Sequence, residues 1–219
     1  LRDNTLVIFA SDNGFSCGHH GFWGKGNGTF PLNMYENSVH VPFLVSHPGR
    51  IAEGVAVSGL YGACDLFPTL LQYVGLPEPE GADRPGRSFA DVLSPLSPSG
   101  SAGTGGHETV VVDGATQCAE YGASRMVRTP CWKYVDRGAQ LPGELYHLTE
   151  DPEERDNLID DGGARVQRLE LHGVLHDWFT RYGAGGARDG RLWHIAGGGQ
   201  LHPVDGFGAA AAQPAFSEH

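Results

Sequence analysis

The sequence of 219 residues lacks long apolar runs, any excess of positive charge and a visible signal peptide. None of its apolar runs reaches the roughly 20 residues that a helix needs to cross a bilayer. Its net charge of −11 argues against nucleic acid or an anionic membrane as the main partner. A small anionic substrate stays compatible with that charge, because one lysine and a divalent metal ion can locally outweigh it.

Cysteine is also scarce, and its placement supports no metal or redox motif. The spacing of the four cysteines matches no zinc pattern, and nothing in that spacing requires a disulfide. We therefore expect four free thiols, as in a reducing compartment. Because the sequence places no base beside Cys17, we expect an ordinary loop thiol there rather than a nucleophile. The four residues are Cys17, Cys64, Cys118 and Cys131.

The most informative stretch of the sequence runs from Thr5 to Lys25. Its first six residues, TLVIFA, are rich in β-branched and aromatic types, which predicts a strand buried on both faces of a parallel sheet. Asp12, Asn13 and Gly14 follow that strand, at the end where ligands bind in open α/β sheets. The carboxylate and the amide offer hard oxygen ligands that suit Ca²⁺ or Mg²⁺.

A glycine-rich loop then presents Lys25 between two glycines. With no bulky neighbours, its ammonium group can approach an anionic ester closely. The competing interpretation is that Asp12 to Gly14 form only a turn, because Asp and Asn are common turn residues. His19 and His20 in the same loop are either solvated and locally hydrogen bonded, or part of an anion or metal pocket. We assign neither histidine as a ligand.

Three further segments follow in order: MYENSVHVP from Met34, VSHPG from Val45 and DLFPTLL from Asp65. Together with the strand, Asp-Asn-Gly and Gly-Lys-Gly, their order and spacing resembles the later half of the catalytic domain of the sulfatase family, in the alkaline-phosphatase-like superfamily. The resemblance is close over residues 1–93. It resumes at ELYHLTEDP from Glu144, which is similar to the carboxy-terminal subdomain of the family.

The resemblance implies a sulfuric ester hydrolase that acts on a small-molecule sulfate ester with the help of Ca²⁺ or another divalent cation. In the family, the nucleophile is a formylglycine made from the cysteine of a Cys-x-Pro-x-Arg motif, and the metal ligands include an Asp-Asn pair. Carried over, Asp12 and Asn13 are metal ligands. Lys25 is the catalytic residue that contacts the sulfate and offsets negative charge as the ester bond breaks.

Other parts of the family machinery are absent from this sequence. No cysteine begins the nucleophile motif, and no early Asp-Asp pair follows a first strand. Two side chains supply too few of the roughly six to eight oxygens that Ca²⁺ takes. Because the chain starts with Leu1 and enters a core strand at once, we expect the nucleophile-bearing N-terminal half, with its formylglycine, to lie upstream. We expect this chain alone to bind Ca²⁺ weakly and to turn over nothing.

Two alternatives to a sulfatase stay open. The first is a phosphate or phosphonate ester hydrolase of the same superfamily, because the same metal and lysine suit phosphoryl oxygens. The second is a non-catalytic binding module on the same scaffold. His40 occupies a place where the family commonly has Arg or Lys, which leaves the subfamily open. The particular ester, the compartment and the oligomeric state are not predicted.

The expected fold class is α/β, with four parts. Residues 1–93 are a partial alkaline-phosphatase-like sheet-and-helix domain, and residues 94–106 are a linker rich in Ser, Gly and Pro. Residues 107–182 are a small α+β subdomain, an antiparallel sheet with one helix. The residues from 183 to 219 form an irregular tail.

Two helices are predicted within these parts. The first covers residues 63–74, with Asp65 as its N-cap and Gly75 as its stop. The second covers residues 164–182 and has an apolar stripe that we expect to lie in the core. The stripe comprises Val166, Leu169, Val174, Leu175, Trp178, Phe179 and Tyr182.

Overall fold

The computed structural model describes residues 2–57, 59–81, 83–93, 117–121, 124–139 and 141–182. The chain forms two compact units, of which the first comprises residues 1–10 and 43–117 and the second comprises residues 11–42 and 118–219. The predicted linker and the predicted tail lie outside the described residues. The division of the chain at residues 94–106 therefore stays a prediction.

Eight short strands, three α-helices and four short 3-10 helices make up the regular structure of the described residues. The strands are β1 (Val7–Phe9), β2 (Ser16–Cys17), β3 (Trp23–Gly24), β4 (Leu44–Ser46), β5 (Gln117–Tyr121), β6 (Ser124–Arg128), β7 (Trp132–Asp136) and β8 (Glu144–His147). The helices are α1 (Glu36–Val39), α2 (Ala63–Val74) and α3 (Arg165–Tyr182). None of the helices in this described part is long and apolar enough to span a membrane.

In the first unit, β1 pairs antiparallel with β4, and Ile8 lies opposite Val45. Both side chains line a small apolar cleft with Leu66 and Leu70 of α2, which covers that face of the strand pair. On the other face the side chains are exposed, Phe9 by 64%. The prediction of a strand buried on both faces of a parallel sheet is therefore wrong for the described structure. An apolar run shows that a strand is favoured, but not which elements cover it.

Helix α2 is confirmed with the predicted bounds, but its capping differs from the prediction. The N-cap is Gly62, and Asp65 lies in the first turn, where its carboxylate accepts a hydrogen bond from the Gly62 backbone N–H at 2.7 Å. The other carboxylate oxygen accepts the backbone N–H of Arg87 at 2.8 Å. At the far end, Gly75 has the left-handed φ of 74° that glycine favours, as predicted.

The second unit contains the predicted antiparallel sheet with one helix packed on it. The strand order is β5-β6-β7-β8, and β7 pairs antiparallel with both β6 and β8. Helix α3 contributes a ridge with a four-residue spacing to one face of the sheet. The buried core there comprises Leu171, Leu175 and Phe179 of the helix and Val127, Tyr134 and Leu145 of the sheet.

The predicted stripe of α3 is only partly correct. Leu175 and Phe179 are buried, whereas Val166, Leu169 and Val174 are exposed by 68, 55 and 44%. The helix packs on the sheet along one narrow ridge, so apolar residues to either side of that ridge are exposed.

The opposite face of the sheet packs against the segment that follows Phe22. Successive residues of a strand point to opposite faces, so the neighbours of the α3-facing residues lie on this side. Met126 and Val135 contact Met34 there. A second cluster comprises Tyr146, Leu148, Phe22 and Tyr35. This face of the sheet therefore packs against the glycine-rich loop and the residues that follow it.

Candidate anion and metal site

The Asp12–Gly14 turn is held by its own side chains. The carboxylate of Asp12 accepts the backbone N–H of Asn13 at 2.9 Å, and the hydroxyl of Ser11 donates to the carbonyl oxygen of Asn13 at 2.8 Å. The side-chain amide of Asn13 donates to the carbonyl oxygen of Gly14 at 2.8 Å. Because the amide nitrogen is used in this way, the amide oxygen of Asn13 points away from the turn.

A short β-hairpin brings Lys25, the residue after β3, close to this turn. Strands β2 and β3 pair antiparallel, with Ser16 opposite Gly24. The hairpin places the ammonium of Lys25 3.4 Å from the side-chain oxygen of Asn13, at the long end of the hydrogen-bond range. Lys25 is exposed, so the ammonium can also reach a ligand from solvent.

Asp12 is exposed beside this pair and keeps one carboxylate oxygen on a backbone amide. With Asn13 it offers hard oxygen donors, which fit Ca²⁺ in chemical type but would supply only part of its shell. In the ranges that the structure describes, this site included, no cluster of three or more His, Cys, Asp or Glu side chains could hold a metal ion. Of the three predicted site residues, the structure brings Asn13 and Lys25 together. The Asp12 carboxylate instead accepts a hydrogen bond from the backbone N–H of Asn13.

Close backbone packing fixes the turn. The backbone N–H of Gly14 donates to the carbonyl oxygen of Ser38 at 3.0 Å. A Cβ atom on Gly14 would lie 2.1 Å from the carbonyl oxygen of Asn37, which is far inside contact distance. Only glycine allows the chain after Asn13 to approach α1 this closely.

The family model for Sulfatase matches residues 1–76, a range that contains all three predicted site residues. The chain carries a sulfatase-family region. Arylsulfatase K of Homo sapiens is 30% identical to it over 161 residues, which are 72% of this chain and 28% of that protein. The chain therefore spans less than a third of the length of this curated relative.

Solved structures extend the likeness beyond the sulfatase-family region. BT4656 in complex with its substrate D-glucosamine-2-N,6-O-disulfate has a TM-score of 0.65 and 25% identity, and the match covers 82% of this chain and 35% of that chain. The phosphonate monoester hydrolase of Agrobacterium radiobacter has a TM-score of 0.62 and 27% identity, over 79% of this chain and 34% of that chain. The fold class is confirmed as mixed α/β with alkaline-phosphatase-like neighbours.

Within the sulfatase-family region, Asn33 is a buried hub that sequence reasoning missed. Its backbone N–H and side-chain amide both donate to the carbonyl oxygen of Gly26, at 2.9 and 3.3 Å. The same amide donates to the hydroxyl of Thr29 at 3.0 Å, and its oxygen accepts the hydroxyl of Ser38 at 2.7 Å. Asn33 therefore ties the loop after Lys25 to helix α1. No local pattern in the sequence marks an asparagine with this role.

The two loop histidines differ in their surroundings. The ring of His20 is buried and stacks on Tyr35 with centroids 3.6 Å apart. Burial, together with the nearby His19, lowers the pKa of His20 to about 4, so its ring is neutral at pH 7. His20 also has a left-handed φ of 54°, uncommon for a residue other than glycine. His20 is therefore a packing residue of the sulfatase-family region, whereas His19 is exposed.

Sequence reasoning also missed a cluster of charged side chains around the buried Lys133. The ammonium of Lys133 is 2.7 Å from the carboxylate of Glu36 and 2.6 Å from that of Glu154. Arg128 pairs with Glu36 at 3.3 Å, and the exposed His40 lies 3.6 Å from the same carboxylate. Burial acts to raise the pKa of Glu36, but Lys133 and Arg128 together lower it below its usual value. Burial raises the pKa of Glu154 to about 7.

Proposed function

We propose that this chain supplies part of the metal and sulfate site of a sulfuric ester hydrolase. Lys25 contacts the sulfate group, and Asp12 and Asn13 are ligands of Ca²⁺ or another divalent cation. The observation that carries the proposal is the 3.4 Å approach of Lys25 to Asn13 within the segment that matches the Sulfatase model.

The chemistry of the three side chains suits an ester of a strong oxyacid. The ammonium of Lys25 donates a hydrogen bond to a sulfate oxygen and offsets the negative charge that develops as the ester S–O bond breaks. A bound divalent cation would supply further positive charge at the sulfate oxygens. Asn13 holds a hard oxygen atom next to Lys25, and Asp12 offers a carboxylate one residue earlier in the chain. Lys25 itself stays open to solvent.

The substrate that we propose is a small-molecule sulfate ester. A sulfated sugar is the substrate bound to BT4656, which supports this class. The nucleophile is not part of the proposal for this chain, because no Cys-x-Pro-x-Arg motif occurs in the 219 residues. We therefore expect that the chain by itself binds sulfate and Ca²⁺ weakly and shows no steady turnover of an arylsulfate.

The experiment that tests the proposal is a titration of the 219-residue chain with inorganic sulfate in the presence of Ca²⁺, followed by NMR. Lys25→Met should weaken sulfate binding by about tenfold, which corresponds to about 1.4 kcal/mol. Arg50→Gln removes another exposed cation and serves as the matched control, with unchanged affinity. Equal sulfate affinity in the wild type and Lys25→Met would contradict the proposal.

A phosphonate or phosphate ester hydrolase is the second candidate, favoured by the likeness to a phosphonate monoester hydrolase. The same cation and lysine serve phosphoryl oxygens, so the two candidates differ in the preferred anion. Competition between sulfate and methylphosphonate for the Lys25 site separates them. Tighter binding of methylphosphonate would move the assignment to the second candidate.

A further inference from the structure

We infer that Lys133 and Glu154, far from Asn13 and Lys25 in sequence, are positioning residues that set the distance between those two site residues. They act through residues 33–38, which we call the bracket segment. The functional meaning of the inference rests on the proposed function, but the geometry on which it stands does not.

Glu154 and Lys133 clamp the middle of the bracket segment from one side. One carboxylate oxygen of Glu154 accepts the backbone N–H of Glu36 at 2.6 Å, and the other accepts the ammonium of Lys133 at 2.6 Å. That ammonium also donates to the carbonyl oxygen of Met34 at 2.9 Å and pairs with the Glu36 carboxylate at 2.7 Å. All three N–H donors of the lysine therefore have partners, two of them on the bracket segment.

The bracket segment holds the two halves of the site from its other side. Ser38 accepts the backbone N–H of Gly14, the residue after Asn13. Asn33 donates twice to the carbonyl oxygen of Gly26, the residue after Lys25. A hydrogen bond of 2.7 Å joins Ser38 to Asn33, so the two attachments are linked directly to each other.

The clamp is costly to build, which argues that its geometry matters. The side chains of Lys133 and Glu154 are 0 and 2% exposed, and removing such charges from water offsets most of what their attraction contributes to stability. Glu154 also has a left-handed φ of 55°, a conformation that is unfavourable for a residue other than glycine. An apolar pair could fill the same space, but it could not hold the Glu36 N–H and the Met34 carbonyl.

The test compares Glu154→Gln with the wild-type chain by NMR, without any ligand. A glutamine replaces one of the two carboxylate oxygens with an NH2 group, so either Lys133 or the Glu36 N–H then faces a donor in place of its acceptor. We expect the amide resonances of Gly14 and Gly26 to shift in Glu154→Gln and the affinity for Ca²⁺ to fall by about tenfold. Glu153→Gln, which changes the exposed neighbour, should leave both resonances in place.

A destabilised variant separates positioning from a general loss of stability. Leu175→Ala weakens the core on the α3 face of the sheet and should leave the Gly14 and Gly26 resonances unshifted. Unshifted resonances in a folded Glu154→Gln protein would overturn the inference.

Should Glu154→Gln not fold, the wild-type chain decides the question by itself. The amide resonances of Gly14 and Gly26 should then shift at the pH at which the Glu154 carboxyl carbon titrates, wherever that pH lies. A titration of that carbon that leaves both amide resonances in place would overturn the inference. A wild-type chain that binds neither Ca²⁺ nor sulfate would instead contradict the proposed function, while the ligand-free resonances still decide the positioning.

Discussion

The side-chain oxygen of Asn13 lies 3.4 Å from the ammonium of Lys25, although twelve positions separate the two residues. The approach depends on a hairpin of two-residue strands and on glycine at position 14, where a side chain would collide with α1. An amide oxygen and an ammonium that share one exposed corner suit an oxyanion beside a divalent cation.

The carboxylate of Asp12 should dominate the attraction for a divalent cation. Asp12→Asn keeps the size of the side chain and the acceptor for the Asn13 N–H, but it removes the negative charge. We expect Ca²⁺ binding to weaken by about tenfold, or about 1.4 kcal/mol, in isothermal titration calorimetry. Asp3→Asn, at another exposed aspartate, is the control and should bind Ca²⁺ as the wild type does. Equal affinities for the two variants would remove Asp12 from the site.

Gly14 should tolerate no side chain. Gly14→Ala brings a Cβ atom 2.1 Å from the carbonyl oxygen of Asn37, so the turn or α1 must move. We expect the free energy of unfolding in urea to fall by about 1–3 kcal/mol. Gly162→Ala is the matched control, because nothing lies within 4 Å of its added Cβ atom. A Gly14→Ala protein as stable as Gly162→Ala would show that the turn is not tightly packed.

Local sequence patterns predicted the parts of the site that depend on local structure. A β-rich run followed by Asp-Asn-Gly placed Asp12 and Asn13 after a strand, and the family resemblance added Lys25. The same run gave the wrong environment for β1, whose Phe9 is exposed by 64%. Burial depends on what covers a strand, and residues distant in sequence decide that.

The supporting residues could not be predicted, because their partners are remote in the chain. Glu154 bonds to a residue 118 positions away, and Lys133 bonds to one 99 positions away. Such pairs leave no period or motif that a single sequence shows. The helix Ala63–Val74 was predicted with its bounds, since its start, apolar spacing and terminal Gly75 all lie within a short stretch.

The contact of α3 with the sheet should be restricted to one ridge. Leu175 is 2% exposed and packs in the core, whereas its neighbour Val174 is 44% exposed. Leu175→Ala should therefore lower the free energy of unfolding by about 2–5 kcal/mol. Val174→Ala should change it by less than about 1 kcal/mol. Urea unfolding measures both, and similar losses for the two variants would favour the wider stripe that the sequence predicts.

The buried carboxyl of Glu154 should make stability depend on pH in a definite direction. Burial raises its pKa from 4.5 to about 7, so between these values the folded chain keeps a proton that the unfolded chain has released. Its contribution to stability is therefore complete below about pH 4.5 and falls as the pH rises towards 7, by about 1 kcal/mol per pH unit. The charged or titratable side chains that interact with Glu154 are Lys133, Glu36, Tyr35 and Tyr146, and Arg128 and His40 pair in turn with Glu36.

Other groups titrate in the same window, so the measurement is a difference between proteins. The lowered pKa of His20 gives stability that increases with pH between about 4 and 6.5, which opposes the effect of Glu154. Urea unfolding at pH 5, 6, 7 and 8 should show that Glu154→Gln lacks the decline that the wild type and Glu153→Gln share. If the curves of the wild type and Glu154→Gln stay parallel over this range, Glu154 is ionised throughout, and it is then held by Lys133 rather than neutralised by burial.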